Sequence, residues 1–172
     1  QTIKLLISHK QKLINKKNNL KKIYYITITM DICDILKNCD KKTKKFSLEG
    51  QTKLCKVVSV YDGDTCNVVF DHNGVINRWT IRMDGYDTPE MRPSKNLENR
   101  VEIKQKAIES RDFLNSLVCN KDQLVYIKCK EFDKYGRLLG DIYINENDEE
   151  SVNQLMIKNG YGYEYHGGTK NQ

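Results

Sequence analysis

The chain has 172 residues, which is long enough for one domain and marginal for two. Its 38% hydrophobic and 30% charged residues are ordinary for a soluble globular protein and too apolar for a disordered one. The formal net charge is +6, which invites a nucleic-acid interpretation, and the longest near-apolar run, Ile23–Met30, is too short to span a bilayer, so we expect no membrane segment.

The positive charge is concentrated at the N-terminus. Residues 1–29 hold seven lysines and no acidic residue, whereas the remaining 143 residues carry 22 basic and 23 acidic groups, a net charge of −1. A polyanion that binds the main domain would therefore have to be held by a local basic cluster or a metal ion. All ten glycines lie at or after Gly50, so we expect a basic, low-complexity extension over residues 1–49 and one folded domain over residues 50–172.

Three interpretations of the basic tail stay open. It could be a disordered arm that contacts nucleic acid, a targeting peptide, or translated upstream sequence ahead of a true start at Met30. The tail lacks the arginine and serine enrichment of transit peptides. Whether a signal sequence once preceded Gln1 also stays open.

The six cysteines do not suggest a metal site. No pair has Cys-x-x-Cys spacing, and the three histidines are isolated in the sequence, so we do not predict a zinc site. Cys55, Cys66 and Cys129 fall in alternating apolar stretches and are expected to be buried free thiols, which favours a reducing, intracellular compartment.

The first half of the chain predicts a helix followed by strands. A short helix is expected over Met30–Asn38, followed by a lysine-rich link. Alternating apolar residues then predict strands over Leu54–Val60, Thr65–Phe70 and Val75–Met83. The segment Asp71–Gly74 is typical of a tight turn between the second and third strands.

The second half of the chain alternates between a helical pattern and a strand pattern of apolar residues. An apolar stripe predicts a helix over residues 101–118, and two more strands are expected over Gln123–Cys129 and Leu138–Ile144. Ser151 begins a last short helix, with Gln154 as its capping-box partner. Three strands, a helix, two strands and a helix indicate a mainly β, α+β domain: a five-stranded Greek-key barrel of the OB type with two or three helices.

Three polar motifs follow the predicted strands. The first is Asp62–Thr65, with two carboxylates around Gly63. The second is Arg82–Glu90, with an arginine and two acids held by a stiff turn at Pro89, and the third is Asp133–Arg137. Taken singly, these could be an ordinary turn, a surface ion-pair cluster and a hairpin loop. The second motif also suits a hard cation and a phosphate together.

The order and spacing of these motifs resemble the staphylococcal nuclease family. The matching segments are Val60–Thr65, Ile81–Arg82 with Asp87–Glu90, Asp133–Arg137, and Val152–Asn153 with Gly160. The resemblance covers roughly residues 52–165. It implies an OB barrel with helices, which agrees with the strand count above.

The resemblance also implies a role for each matching residue. It implies that Asp64 and Asp87 bind calcium through their carboxylates and Thr88 through its backbone carbonyl. It implies that Arg82 and Arg137 grip the scissile phosphate and that Glu90 is the general base for the attacking water. It implies that Lys134 and Tyr135 contact the nucleotide. One of the tyrosines near the C-terminus, of which we name Tyr165, could stack on the nucleotide, and ordinary packing of these tyrosines on a helix end is an equal alternative.

The implied function is a calcium-dependent nuclease that cleaves DNA and RNA with little sequence preference. The sequence does not indicate an oligomeric state, and we take a monomer as the default expectation. The alternative is a non-catalytic nucleic-acid-binding module, which would lack an arginine or a carboxylate, and none is missing here. Two departures from the family pattern stand out. The tyrosines of residues 161–165 are out of clean register, and the loop Met91–Arg100 differs in composition.

Overall fold

The computed structural model describes residues 17–18, 32–119 and 122–166. The chain divides into two compact units, Gln1–Phe46 and Ser47–Gln172. In the first unit, residues 32–37 form a short helix, α1, inside the helix predicted over Met30–Asn38. Apart from residues 17–18, which are helical, the basic tail of residues 1–29 lies outside the described residues, so the three interpretations of it stay open.

The second unit contains seven strands and two helices in the described residues. The first half of the unit has β1 (Thr52–Asp62), β2 (Thr65–His72), β3 (Val75–Met83) and β4 (Tyr86–Asp87). The second half has α2 (Arg100–Val118), β5 (Val125–Phe132), β6 (Leu138–Tyr143), α3 (Val152–Lys158) and β7 (Tyr163–Glu164).

Five of these strands close into a barrel in the order β1, β2, β3, β6, β5. All neighbouring pairs are antiparallel except β3 and β6, which run parallel, with Ile81 opposite Leu138 and Arg82 opposite Leu139. The β2–β3 turn has positive φ angles at Asn73 (54°) and Gly74 (81°), as the tight-turn prediction implies. The five-stranded barrel with helices confirms the predicted fold class.

The barrel interior forms the hydrophobic core. Every barrel strand contributes buried side chains, and α2 and α3 each pack one face against it. Leu48, just ahead of the predicted domain start at residue 50, is also fully buried in this core. Cys55, Cys66 and Cys129 are buried free thiols, as predicted, and burial raises the pKa of Cys55 to about 12.

Two sequence predictions for the helices are confirmed, the cap at the start of α3 and the buried face of α2. Ser151 caps α3 through a capping box with Gln154. The stripe predicted for α2 is buried at Ala107, Ser110, Leu114 and Val118. These buried side chains pack α2 against the barrel. The β1–β2 turn packs closely against Ser110 of the same helix face, as described below.

A second, two-stranded sheet was not predicted. β4 and β7 are antiparallel, with Tyr86 opposite Glu164 and Asp87 opposite Tyr163. Each strand has only two residues, which is too short for an alternating pattern to be seen in the sequence. The small sheet carries the C-terminal tyrosines to the end of β3.

Candidate functional site at the barrel rim

Three segments that are far apart in the chain meet at one rim of the barrel. The β1–β2 turn lies beside the end of β3, because Thr65 is paired with Arg82 and Met83 donates a backbone hydrogen bond to Asp64 (2.8 Å). The parallel β3–β6 pairing brings the β5–β6 hairpin to the same place. Between them lies a cleft of about 450 Å³.

All nine residues that the sequence analysis assigned to a site line this cleft. The full lining is Asp62, Asp64, Arg82, Asp87, Thr88, Pro89, Glu90, Lys134, Tyr135, Arg137 and Tyr165. The structure thus brings all the predicted residues together in one cleft.

The position of the β1–β2 turn is fixed by a buried hydrogen bond and by close packing against α2 and Thr88. Tyr86 is buried and donates a hydrogen bond to the carbonyl of Gly63 (2.7 Å). A Cβ atom on Gly63 would lie 2.7 Å from Cβ of Ser110 and 2.8 Å from Cγ2 of Thr88. Glycine is therefore required here for close approach to α2, and the turn can hold Asp64 deep in the cleft.

Two carboxylates and one guanidinium form the centre of the cleft. Nη2 of Arg82 lies 3.4 Å from Oδ2 of Asp64 and 3.2 Å from Oδ1 of Asp87. Both acids are buried, with 6% and 2% of their surfaces exposed. Arg82 also donates to the carbonyl of Met83 (2.6 Å), so its planar group is held in one orientation.

Burial makes one of these carboxylates hard to ionise. Desolvation, helped by the charge of Asp62, raises the pKa of Asp64 to about 7 although the Arg82 guanidinium opposes the shift. One cation beside two buried carboxylates leaves a net negative charge when both are ionised. The pair is therefore electrostatically suited to a further cation.

Hydroxyl and amide groups orient the two carboxylates. Thr65 and Thr88 donate their hydroxyls to Asp64 (2.9 and 3.2 Å). Asp87 accepts from the backbone N–H of Thr88 (3.1 Å) and from the hydroxyl of Tyr163 (3.3 Å). Each acid is thus held by donors from two segments of the chain: Asp64 from β2 and the loop after β4, and Asp87 from that loop and β7.

Glu90 lies at the exposed edge of the cleft, three residues after Asp87. Pro89 precedes it and restricts both its own φ and the conformation of Thr88. The turn therefore carries a third carboxylate to the cleft while leaving it accessible to solvent.

The β5–β6 hairpin supplies the second guanidinium. Oδ2 of Asp133 accepts from Nε of Arg137 (2.7 Å), and Oδ1 of Asp133 accepts from the backbone N–H groups of Tyr135 and Arg137 (both 2.9 Å). Partial burial opposes ionisation of Asp133, but these hydrogen bonds outweigh it and lower its pKa. Gly136 has a φ of 81°, which the tight bend requires.

The hairpin also offers an aromatic ring. Tyr135 is 72% exposed, with the ammonium of Lys134 at 5.0 Å and the guanidinium carbon of Arg137 at 5.5 Å from its ring centroid. An exposed ring flanked by two cations is a suitable surface for a nucleobase and its phosphate.

Asn153 of α3 links the strands that carry the site. Its side-chain amide donates to the carbonyls of Asp84 (2.9 Å) and Gly140 (3.2 Å), and its oxygen accepts from the backbone N–H of Ile142 (3.1 Å). Asn153 is buried. It therefore ties the turn after β3 to β6 and keeps the two halves of the rim together.

Three residues that support the site, Tyr163, Asp133 and Asn153, were assigned no individual role from the sequence. Asp133 and Asn153 lay inside quoted motifs, so their position was visible but their bonding was not. The signal for Tyr163 was its place among the C-terminal tyrosines, and only the pairing of β4 with β7 shows that its hydroxyl meets Asp87.

The donor chemistry of the cleft fits the calcium ion that the resemblance implies. Calcium takes carboxylates, backbone carbonyls and water, and the cleft offers two buried carboxylates next to the backbone of Thr88. In the described residues, no three His, Cys, Asp or Glu side chains gather as a metal-binding group. An ion held by Asp64 and Asp87 would take its further ligands from other oxygen atoms of the cleft, such as the carbonyl of Thr88, and from water.

Comparison with known proteins gives a family match. Residues 80–172 match the family model described as staphylococcal nuclease homologue. This segment includes eight of the nine predicted site residues and leaves out Asp64. None of the helices in the described ranges is both long and apolar enough to cross a lipid bilayer.

Individual relatives agree with this match. The chain is 34% identical over 128 residues to endonuclease YncB of Bacillus subtilis, with 71% of this chain and 55% of the relative covered. It is 32% identical over 110 residues to an uncharacterized endonuclease of Escherichia coli O157:H7, with 64% of this chain and 60% of the relative covered. It is 28% identical over 95 residues to a probable staphylococcal-like nuclease of rice, with 55% and 21% covered. The chain thus spans less than two thirds of the length of each of these curated relatives.

Proposed function

The chain belongs to the staphylococcal nuclease family, and from this we propose that it is a calcium-dependent nuclease that hydrolyses the phosphodiester bonds of DNA and RNA with little sequence preference. Two of the relatives above are named endonucleases. The single observation that carries the proposal is the meeting of two arginines, two buried carboxylates and Glu90 in one cleft.

In this proposal, Asp64, Asp87 and the carbonyl of Thr88 hold the calcium ion. When bound, the ion would polarise the phosphate and neutralise part of its charge. The hydroxyls of Thr65, Thr88 and Tyr163 orient the carboxylates for it.

Arg82 and Arg137 bind the scissile phosphate. A guanidinium stays charged at all relevant pH values and presents parallel N–H donors that match two phosphate oxygens. Negative charge builds on these oxygens as water attacks, so donors that are already fixed stabilise the transition state more than the ground state. The backbone contact of Arg82 and the Asp133 contact of Arg137 provide that fixed orientation.

Glu90 takes the proton from the attacking water. It lies at the solvent-exposed edge of the cleft, where an ionised carboxylate and a water molecule can meet. Lys134, Tyr135 and Tyr165 hold the nucleotide by charge and stacking, contacts that do not read the base sequence. Low sequence preference follows from that chemistry.

The charge distribution supports a local mode of binding. The 143 residues after the tail have a net charge of −1, so overall attraction to a polyanion is weak. Two arginines and a divalent cation on one phosphate would supply the binding instead. Affinity for substrate is then expected to depend strongly on calcium.

The test is cleavage of supercoiled plasmid by the full chain with calcium and then with excess chelator. We expect cleavage that stops on chelation, and a fall of orders of magnitude in Glu90→Ala and Arg137→Ala with an unchanged circular dichroism spectrum. Binding of DNA without cleavage in calcium would instead indicate a non-catalytic nucleic-acid-binding module and would contradict the proposal.

A further inference from the structure

A second groove continues from the cleft along the loop after Glu90. It has a volume of about 470 Å³ and shares Thr88, Pro89 and Glu90 with the cleft. Its other lining residues are Arg92, Pro93, Ser94, Leu97, Asn99, Ile103 and Tyr163. The groove therefore opens directly from the place where the scissile phosphate would lie.

The wall of this groove is formed by an ordered loop. Arg100 donates from Nε to the carbonyl of Pro93 (3.3 Å) and from its backbone N–H to Leu97 (3.2 Å). Leu97 donates in turn to the carbonyl of Ser94 (3.3 Å). Pro93 is buried, so these contacts give the groove a defined shape ahead of ligand binding.

The lining combines three kinds of surface. Pro93, Leu97 and Ile103 are apolar, Ser94 and Asn99 can form hydrogen bonds, and Arg92 is an exposed cation. A volume in the range of about 300–1,000 Å³ with a mainly apolar lining and a few polar groups is typical of a small-ligand site. A planar base, a sugar and a phosphate have this combination of surfaces.

Tyr163 connects the groove to the cleft. Its hydroxyl donates to Asp87 in the cleft (3.3 Å), and the residue also lines the groove and is 46% exposed. Pairing of β7 with β4 fixes its backbone opposite Asp87. An aromatic ring held at one end and open on the other side is a suitable stacking surface for a base.

We propose that this groove binds an unpaired nucleotide of the substrate strand, next to the nucleotide in the cleft, with its base on Tyr163 and its phosphate at Arg92. This inference rests on the proposed function, because the groove can bind a neighbouring nucleotide only if the adjacent cleft binds the scissile phosphate. A paired base could not leave its partner to enter the groove without the cost of unstacking. The groove thus adds a subsite that reads strand length and pairing rather than base identity.

The test is an abasic scan of a single-stranded hexanucleotide with one cleavable phosphodiester bond. With the wild-type chain, an abasic site at the one position of the oligonucleotide that occupies the groove should lower kcat/KM about tenfold, because stacking of that base on an aromatic ring is lost. In Tyr163→Ala the same base loss should have no effect. Tyr163→Phe keeps the ring and loses the hydroxyl, so it should retain the position dependence whatever its overall rate.

A matched pair of charge variants tests the phosphate contact. Arg92→Ala should remove the gain in kcat/KM between a dinucleotide and the hexanucleotide. Lys95→Ala removes one positive charge from the same loop at an exposed residue outside the groove lining, and should keep that gain. An unchanged length dependence in Arg92→Ala, or equal sensitivity of Tyr163→Ala and wild type to every abasic position, would overturn the subsite.

This outcome can be separated from the fate of the proposed function. If the wild-type chain cleaves no oligonucleotide, the nuclease proposal fails, and the same abasic scan is then carried out by fluorescence anisotropy of labelled hexanucleotide with calcium present. A Tyr163-dependent position in the binding scan would support the groove, and its absence would overturn it. Cleavage in which no abasic position depends on Tyr163 would support the nuclease proposal and contradict the proposed subsite.

Discussion

Arg82 has a double task in the cleft. It neutralises part of the charge of two buried acids, at 3.4 and 3.2 Å, and is proposed to bind the phosphate as well. A flat guanidinium can serve several acceptors at once, since it carries five N–H donors in a fixed fork. A lysine ammonium is a single point charge on a flexible stem and can match one of these acceptors at a time.

Arg82→Lys is therefore expected to lower kcat by about 10²–10³ while preserving the fold, because the positive charge beside Asp64 and Asp87 remains. Steady-state cleavage of an oligonucleotide and thermal unfolding of the same sample provide the two measurements. Full turnover in Arg82→Lys would show that the planar, two-oxygen contact is not needed.

Gly63 controls the position of Asp64 through packing. An added methyl group would lie 2.7 Å from Ser110 and 2.8 Å from Thr88, so either α2 or the turn would have to move. We expect Gly63→Ala to lower the free energy of unfolding by about 1–3 kcal/mol and to weaken calcium binding. Urea denaturation and calcium titration measure the two effects, and an unchanged midpoint with unchanged calcium affinity would show that the contact is easily relieved.

At the scale of elements, the rim depends on contacts between segments that are distant in the chain. Asn153 joins α3, β6 and the turn after β3 through one buried side chain. Removing it would take its partner from the N–H of Ile142 and from the carbonyl of Asp84, whereas the carbonyl of Gly140 would keep the backbone N–H of Asp84 (3.1 Å). Such groups are expensive to bury because they have lost their hydrogen bonds to water as well.

Asn153→Ala is expected to cost about 1–3 kcal/mol of stability and to reduce activity, because the turn that leads to Asp87 loses its anchor. Asn159→Ala is the matched control: Asn159 is the exposed C-cap of α3, and its side chain donates one hydrogen bond, to the carbonyl of Leu155 (2.8 Å). Urea denaturation of both variants makes the comparison. Equal losses would mean that the links to β6 and the turn contribute nothing specific.

The elements predicted from the sequence are those long enough to show a periodic pattern of apolar residues. The features that were missed depend on pairing between strands that are distant in the chain. The five barrel strands and α2 show alternation or a helical stripe, and α3 has a capping box. The β4–β7 sheet has two residues in each strand, and the parallel pairing of β3 with β6 leaves no trace in either strand. Both pairings form only when distant segments come together in the folded structure.

The same division holds for the cleft. The motifs around Asp64, Asp87 and Arg137 could be found because their spacing resembles a family. Tyr163 could not, since its contact with Asp87 depends on the β4–β7 pairing. Nor could the need for glycine at position 63 be derived from turn preference, because its φ is not positive and the constraint comes from Ser110 and Thr88.

For the whole molecule, the buried acid of the cleft links stability to pH. The pKa of Asp64 rises from 3.8 to about 7 in the folded chain, so the folded state binds this proton more tightly than the unfolded state. Stability then falls as pH rises from about 4 to about 7, by at most about 1.4 kcal/mol per pH unit from this group. Asp133 has a lowered pKa, so its contribution is lost only at more acidic pH.

Calcium should reverse this trend, because it binds the ionised acids and stabilises the folded state by mass action. Urea denaturation at pH 5 and pH 7.5, with chelator and with calcium, measures the effect. We expect lower stability at pH 7.5 than at pH 5 in chelator, and recovery at pH 7.5 in calcium. Asp64→Asn should lose most of this pH dependence, and an equal slope in the variant would assign it to other groups.

The most direct test of the central claim is a crystal structure of the chain with calcium and a bound nucleotide phosphate. The account predicts an ion about 2.3–2.6 Å from oxygens of Asp64, Asp87 and Thr88, with guanidinium groups of both Arg82 and Arg137 in hydrogen-bonding contact with one phosphate. An ion bound elsewhere, or a phosphate that contacts neither arginine, would contradict it.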